Sequence, residues 1–254
     1  MSSNVKFACL NYHVIGEGSG QYTLSEKRLR DHLTFLNREG YLAEGFEELE
    51  LRLRAKHPFP DRYAVLAVDD GHESSMQAAD LLEAAGCRAT FFVTRDRALT
   101  RAGYLREQDI RELRKRGFSI GAHGTSHRKL TFLAENDCIE ELKGSKHWLE
   151  QVLGESVRYM AAPGGFINAR VLQLACELGY ILTGTCSEWM NSVSTMRLPG
   201  TVNRVNVRQH YSAHDFQHAV TGDPAFYVGR QARAAALWFP KQMFALEQFR
   251  RSKR

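Results

Sequence analysis

Short apolar runs alternate with amphipathic stretches along most of the chain. The runs at 5–10, 63–68, 89–93, 118–122, 157–161, 180–184 and 202–207 are dominated by apolar residues, several of them β-branched or aromatic. Runs of that length and continuity read as strands buried on both faces, as in a parallel sheet. Between them the apolar positions recur every three or four residues. In 25–39, Leu29, Leu33 and Leu36 share one face, Ser25 can cap the start and Gly40 ends it. The same pattern predicts helices over 46–55, 74–85, 106–116, 135–153 and 168–178. Strand–helix alternation repeated this often implies parallel strands joined by helical crossovers, in either a barrel or a doubly wound sheet. No internal repeat or low-complexity linker interrupts it. The segment 208–218, RQHYSAHDFQH, is polar and carries His210, His214 and His218.

The pattern changes after Gly222. Phe226, Trp238, Phe239, Met243, Phe244 and Phe249 are interrupted by Pro240 and mixed with Arg230, Arg233, Lys241, Arg250, Arg251, Lys253 and Arg254. We therefore divide the chain into 1–221 and a C-terminal helical segment, 222–254. Two roles fit that segment: a helix packed on the main domain, or a basic amphipathic surface lying on an anionic membrane.

Composition narrows the class. The chain has 254 residues and is 43% hydrophobic, enough for a core within a single α/β domain. The net charge is +5, but basic and acidic residues are interleaved, and no RNA- or DNA-binding signature is present. The loop Gly16-Glu17-Gly18-Ser19-Gly20 lacks the helix and lysine of a phosphate cradle. The five cysteines, Cys9, Cys87, Cys138, Cys176 and Cys186, form no Cys-x-x-Cys pair, and several sit in apolar runs, which fits a reducing compartment. The N-terminal sequence shows no long apolar stretch and no cleavage site, so the expectation is a cytoplasmic protein, in the cytosol or at the inner membrane face.

Two stretches carry chemistry. The run at 63–68 ends in Asp69-Asp70-Gly71, where a cation would relieve two adjacent carboxylates, although Asp-Gly is also an ordinary turn signal. The run at 118–122 leads into Gly121-Ala122-His123-Gly124-Thr125-Ser126-His127. Aspartate with two histidines suits a divalent metal that keeps open positions for water and substrate.

Asp-Asp-Gly after one strand and His-x-x-x-His after another resemble the polysaccharide deacetylase (NodB-homology) family, the metal-dependent family-four carbohydrate esterases. Ala161-Ala162-Pro163-Gly164-Gly165 is similar to the family's third motif, and the resemblance runs from about Asn11 to about Val207. It implies a distorted (β/α) barrel of about seven parallel strands, with the ligands after strand C-terminal ends, where barrel active sites are built. It also implies hydrolysis of an N-acyl amide. Asp70, His123 and His127 would hold one divalent metal, expected to be zinc, with cobalt or nickel as alternatives. Asp69 matches the family's base and the backbone N–H of Gly164 its oxyanion donor. The implied substrate is an N-acylated amino sugar in a polysaccharide or glycolipid precursor. An amidase acting on a small linear or cyclic amide, and a catalytically silent carbohydrate-binding protein, are the alternatives.

Two positions depart from the family. Ala161 stands where its third motif opens with an arginine, and Arg204, a lone cation in TVNRVNV, is the candidate replacement or else an ordinary surface arginine. The family's Leu-x-His, which supplies a general acid, has no counterpart. His13 and His210 are the candidates for that role.

Overall fold

The computed structural model describes residues 5–230. Seven parallel strands form a nearly closed barrel. Six are Lys6–Tyr12, Tyr63–Val68, Thr90–Val93, Ser119–Ala122, Tyr159–Ala161 and Leu182–Thr185; the seventh comes in two pieces, Gly200–Asn203 and Val205–Asn206. The first piece pairs with Leu182–Thr185, placing Val202 opposite Gly184. The second pairs with Lys6–Tyr12, placing Val205 opposite Leu10. Arg204 is the residue at which the strand changes partner and the ring closes. The sheet is therefore the barrel, not the doubly wound alternative.

Two short strands extend the sheet at the opposite end. Leu42–Glu44, too short to stand out in the sequence, runs parallel to the start of Tyr63–Val68, and Asn191–Ser192 runs antiparallel to the start of Lys6–Tyr12.

The strands have two buried faces. Tyr63, Val65 and Ala67 belong to the barrel interior with Phe7, Cys9, Phe92, Tyr159, Ala161, Leu182 and Val202. Ala64, Leu66 and Val68 face the helices, in the larger core. The two-residue period of a strand thus separates an inner from an outer core. At or just past the C-terminal ends of the strands, the same period turns Asn11, Asp69, His123 and Arg204 inward.

The helices follow their capping signals. Glu26–Arg38 starts at Ser25, whose Oγ accepts from the Arg28 N–H at 3.4 Å, and buries Leu29, Leu33 and Leu36. Asn168 caps Ala169–Glu177 in the same way. Glu135–Leu153 ends at Gly154 in a left-handed conformation, φ 70°. The polar segment after residue 208 contains a helix the sequence pattern did not predict, Ala213–Thr221. Ser212 and Asp215 cap it reciprocally, and it buries Phe216, Ala219 and Val220. Residues 224–230 are helical. The rest of the expected C-terminal helix and most of its basic face fall in 231–254, outside the described residues. Among the described residues, no helix is long and apolar enough to cross a membrane.

Candidate active site

The chemistry gathers at the C-terminal ends of the strands. His13 follows Lys6–Tyr12, Asp69 and Asp70 follow Tyr63–Val68, His123 follows Ser119–Ala122, and the turn Pro163–Gly165 follows Tyr159–Ala161. Gly121 is required by packing, because a Cβ there would run into the Phe92 ring.

Asp69 and Asp70 are adjacent in sequence but occupy different surroundings. Asp69 is buried, 2% exposed. Its Oδ1 accepts from Arg204 Nη1 at 2.7 Å and its Oδ2 from Asn11 Nδ2 at 2.9 Å. Burial works to raise its carboxyl, but the Arg204 guanidinium, followed by His123 and His13, outweighs burial and holds it down at about 2. Asp69 is thus an anion sealed inside the barrel mouth.

Asp70 takes a left-handed backbone, φ 78°, which sends its side chain toward the rim. Its Oδ1 lies 3.0 Å from His127 Nε2 and 3.5 Å from His123 Nε2. Burial opposes the charge, yet contacts with His123 and His127 hold its carboxyl far below the usual carboxylate range. His127 is also left-handed, φ 67°. Non-glycine residues rarely adopt this region, and such strain gathers at functional sites. Two of the four described residues that do so are Asp70 and His127.

The donor set fits a divalent metal. One ligand atom each from Asp70, His123 and His127 lies within 4.8 Å of the others. His123 Nδ1 is 2.8 Å from the Ala161 carbonyl, a hydrogen bond that leaves Nε2 facing Asp70. That bond fixes the ring and its tautomer, as in metal-ligating histidines. One carboxylate and two imidazoles match zinc, cobalt or nickel, and leave positions for water and substrate.

Arg204 is fully buried. Its Nε donates to the Thr185 carbonyl at 3.1 Å, Nη1 also reaches Asn11 Oδ1 at 3.2 Å, and the guanidinium lies 5.4 Å from the Phe92 ring centroid. It crosses Gly184, where a Cβ would sit 2.7 Å from Nε. The cation absent at Ala161 therefore arrives from the closing strand, through space that Gly184 leaves open.

Of the two remaining histidines, the structure brings only His13 to the site. Burial lowers its basicity, while Asp69 and Asp70 raise it. Its ring stacks on Tyr22, centroids 4.6 Å apart, and Nδ1 has no hydrogen-bond partner among the described residues. His210 is exposed and rests against Tyr211. Gly164 has φ 67° within its turn, and a Cβ on Gly165 would collide with Cys186.

Four contributors escaped the sequence pattern. Asn11 bridges Asp69, Arg204 and Asn206. Arg97, on the short helix Arg95–Thr100, brings Nη1 to 2.8 Å from Asp70 Oδ1. Glu141, buried on the long helix, accepts from the Ser126 N–H at 2.9 Å and from its hydroxyl, pinning the loop between the two histidines. Cys186 packs beside the glycine turn and Arg204. Arg97 and Glu141 have no signal in sequence, because each is one of many charges on an amphipathic helix.

A parallel barrel with an Asp-His-His cluster that could hold a metal at its C-terminal mouth, beside a buried Asp–Arg pair, is the arrangement to set beside known proteins. The chain belongs to the polysaccharide deacetylase family, whose profile matches residues 56–182. It is 25% identical over 176 residues to the YxkH protein of Bacillus subtilis, covering 69% of this chain and 62% of that protein. The chain thus spans less than two thirds of that relative's length. It is 27% identical over 172 residues to a peptidoglycan-N-acetylglucosamine deacetylase of Bacillus cereus, covering 65% of this chain and 72% of the relative. In fold it is similar to the Streptococcus pyogenes deacetylase PplD, solved with acetate, at a TM-score of 0.77 and 23% identity over 86% of this chain and 99% of that one.

Proposed function

We propose that this protein is a metal-dependent hydrolase that removes an N-acyl group, in the first instance acetyl, from an amino sugar in a polysaccharide or glycolipid precursor. The observation that carries the reading is Asp69. It is a buried carboxylate, not part of the ligand cluster, lying 3.9 Å from His123 Nε2 and locked by Arg204. A binding module has no use for a base beside a metal site.

A divalent ion held by Asp70, His123 and His127 would supply Lewis acidity, polarising the acyl carbonyl and acidifying water. Asp69 accepts the proton of the attacking water, its orientation set by Arg204 and Asn11. The Gly164 N–H stabilises the oxyanion, and a main-chain donor needs no side chain at that position. His13, half sheltered against Tyr22, hands a proton to the departing amine.

Asp69→Asn keeps the shape and removes the base. We expect metal content near wild type, and acetate release from N-acetylglucosamine oligomers or a lipid-linked N-acetyl sugar lower by at least about a hundredfold. Full activity in the variant would place the base elsewhere. A wild type that binds glycans and releases no acyl group would favour the silent binding protein.

A further inference from the structure

Two exposed aromatic rings stand beside the Gly164 turn. Phe166 directly follows Pro163–Gly165 and is 41% exposed; Phe132 ends the turn Leu130–Phe132 that comes after His127 and is 74% exposed. Their centroids are 6.2 Å apart. Lys129 lies between this pair and the catalytic turn: its Nζ is 4.8 Å from the Phe166 centroid, and its Cε would be 3.9 Å from a Cβ on Gly164. The position is continuous with the metal cluster, since Pro163 Cγ would touch a Cβ on Gly124 at 3.3 Å, next to His123.

Neither ring belongs to the hydrophobic core. Leu130, fully buried, already anchors the turn that carries Phe132. Adjacent exposed aromatics at the mouth of a site mark a contact surface. The electron-rich face of such a ring suits the apolar C–H face of a pyranose. The ammonium of Lys129 sets the charge preference. A neighbouring sugar that keeps its acetyl group is neutral there, whereas one already deacetylated carries a second ammonium. Two like charges about 6 Å apart near a wet surface repel by enough to disfavour the charged unit about three- to tenfold.

We propose that Phe132, Phe166 and Lys129 form a subsite for the sugar next to the unit being deacetylated, and that this subsite takes the neighbour in its neutral, N-acetylated form. The inference rests on the amino-sugar deacetylase reading and deepens it: the substrate is a chain, and its free amines come out spaced along it, not in contiguous blocks.

The test uses the metal-loaded, full-length protein and N-acetylglucosamine oligomers of increasing length. In wild type kcat/KM should rise with chain length. In the Phe132→Ala/Phe166→Ala variant the ratio of tetramer to dimer kcat/KM should fall by about tenfold, with the melting temperature held and Phe166→Tyr restoring the ratio. An unchanged ratio, or an equal loss at every length, would overturn the subsite. Lys129→Gln should shift tetramer products, read by mass spectrometry, from separated to contiguous amines; an unchanged pattern would overturn the charge preference. Calorimetric titration of the oligomers into Asp69→Asn protein separates this proposal from the hydrolase reading. Binding that weakens in the double-alanine background supports the subsite even if wild type turns nothing over, and binding indifferent to the rings rejects it.

Discussion

Replacing Arg204 with methionine keeps much of the side chain's length and removes its charge. Asp69 would then sit 2% exposed with Asn11 as its remaining side-chain donor. Breaking a buried pair from one side costs about 3–5 kcal/mol, because the surviving charge is left without a partner. For a chain of this size each kcal/mol moves Tm by roughly 2–4 °C, so Arg204→Met should melt about 6–20 °C lower. Asp69→Asn leaves the fully buried guanidinium unmatched and should destabilise as well. The double variant removes both charges, so its cost should fall short of the summed single costs by at least about 2 kcal/mol. Urea unfolding of wild type, both single variants and the double variant closes the cycle. Additivity within about 0.5 kcal/mol would mean that the 2.7 Å contact contributes nothing specific, and would refute the account of Arg204 as the support of Asp69.

Metal analysis of purified wild type should find a divalent ion that His123→Ala and Asp70→Ala each lose; equal content in all three would remove the site. Gly184→Ala pushes a methyl group into Arg204 Nε and Cδ in a sealed interior, and should cost about 1–3 kcal/mol in thermal unfolding; an unchanged Tm would show that Arg204 can move aside. His32 is buried, stacked on Phe216 with centroids 3.7 Å apart, and burial together with Arg28 lowers its basicity to about 3. Because the unfolded chain binds that proton near pH 6.5 and the folded one does not, stability falls as pH drops from about 6.5 toward 3, by about 2 kcal/mol between pH 7.5 and 5. Urea titrations of wild type and His32→Gln measure the difference, and an equal pH dependence in both would reject this origin.

The barrel strands were legible because burial on two faces leaves continuous apolar runs, and Phe46–Ala55, Tyr63–Val68 and Glu135–Leu153 begin and end where the sequence pattern put them. The helix Ala213–Thr221 was hidden, since its three buried residues are scattered among histidines and other polar groups. The grouping of Asp70, His123 and His127 could be read from two strand-end motifs. Arg204 was legible for a different reason: a single cation inside an uncharged strand needs a buried partner or a place at the surface, and here it has the partner. Arg97 and Asn11 could not be found this way. Their importance comes from the backbone that carries them to Asp70 and Asp69, which no spacing in the chain records.

The split in the last strand has a consequence for how the chain is made. Asp69 and Arg204 are separated by 135 residues, and the same short stretch that seals the ring also neutralises the carboxylate. As the polypeptide leaves the ribosome, the early strands can pair while Asp69 remains an unmatched charge that must stay hydrated. The mouth of the barrel cannot dry out until residue 204 has emerged. Completion of the scaffold and neutralisation of the Asp69 carboxylate are therefore one event, and a chain cut short before that strand would carry Asp70, His123 and His127 without a finished barrel interior.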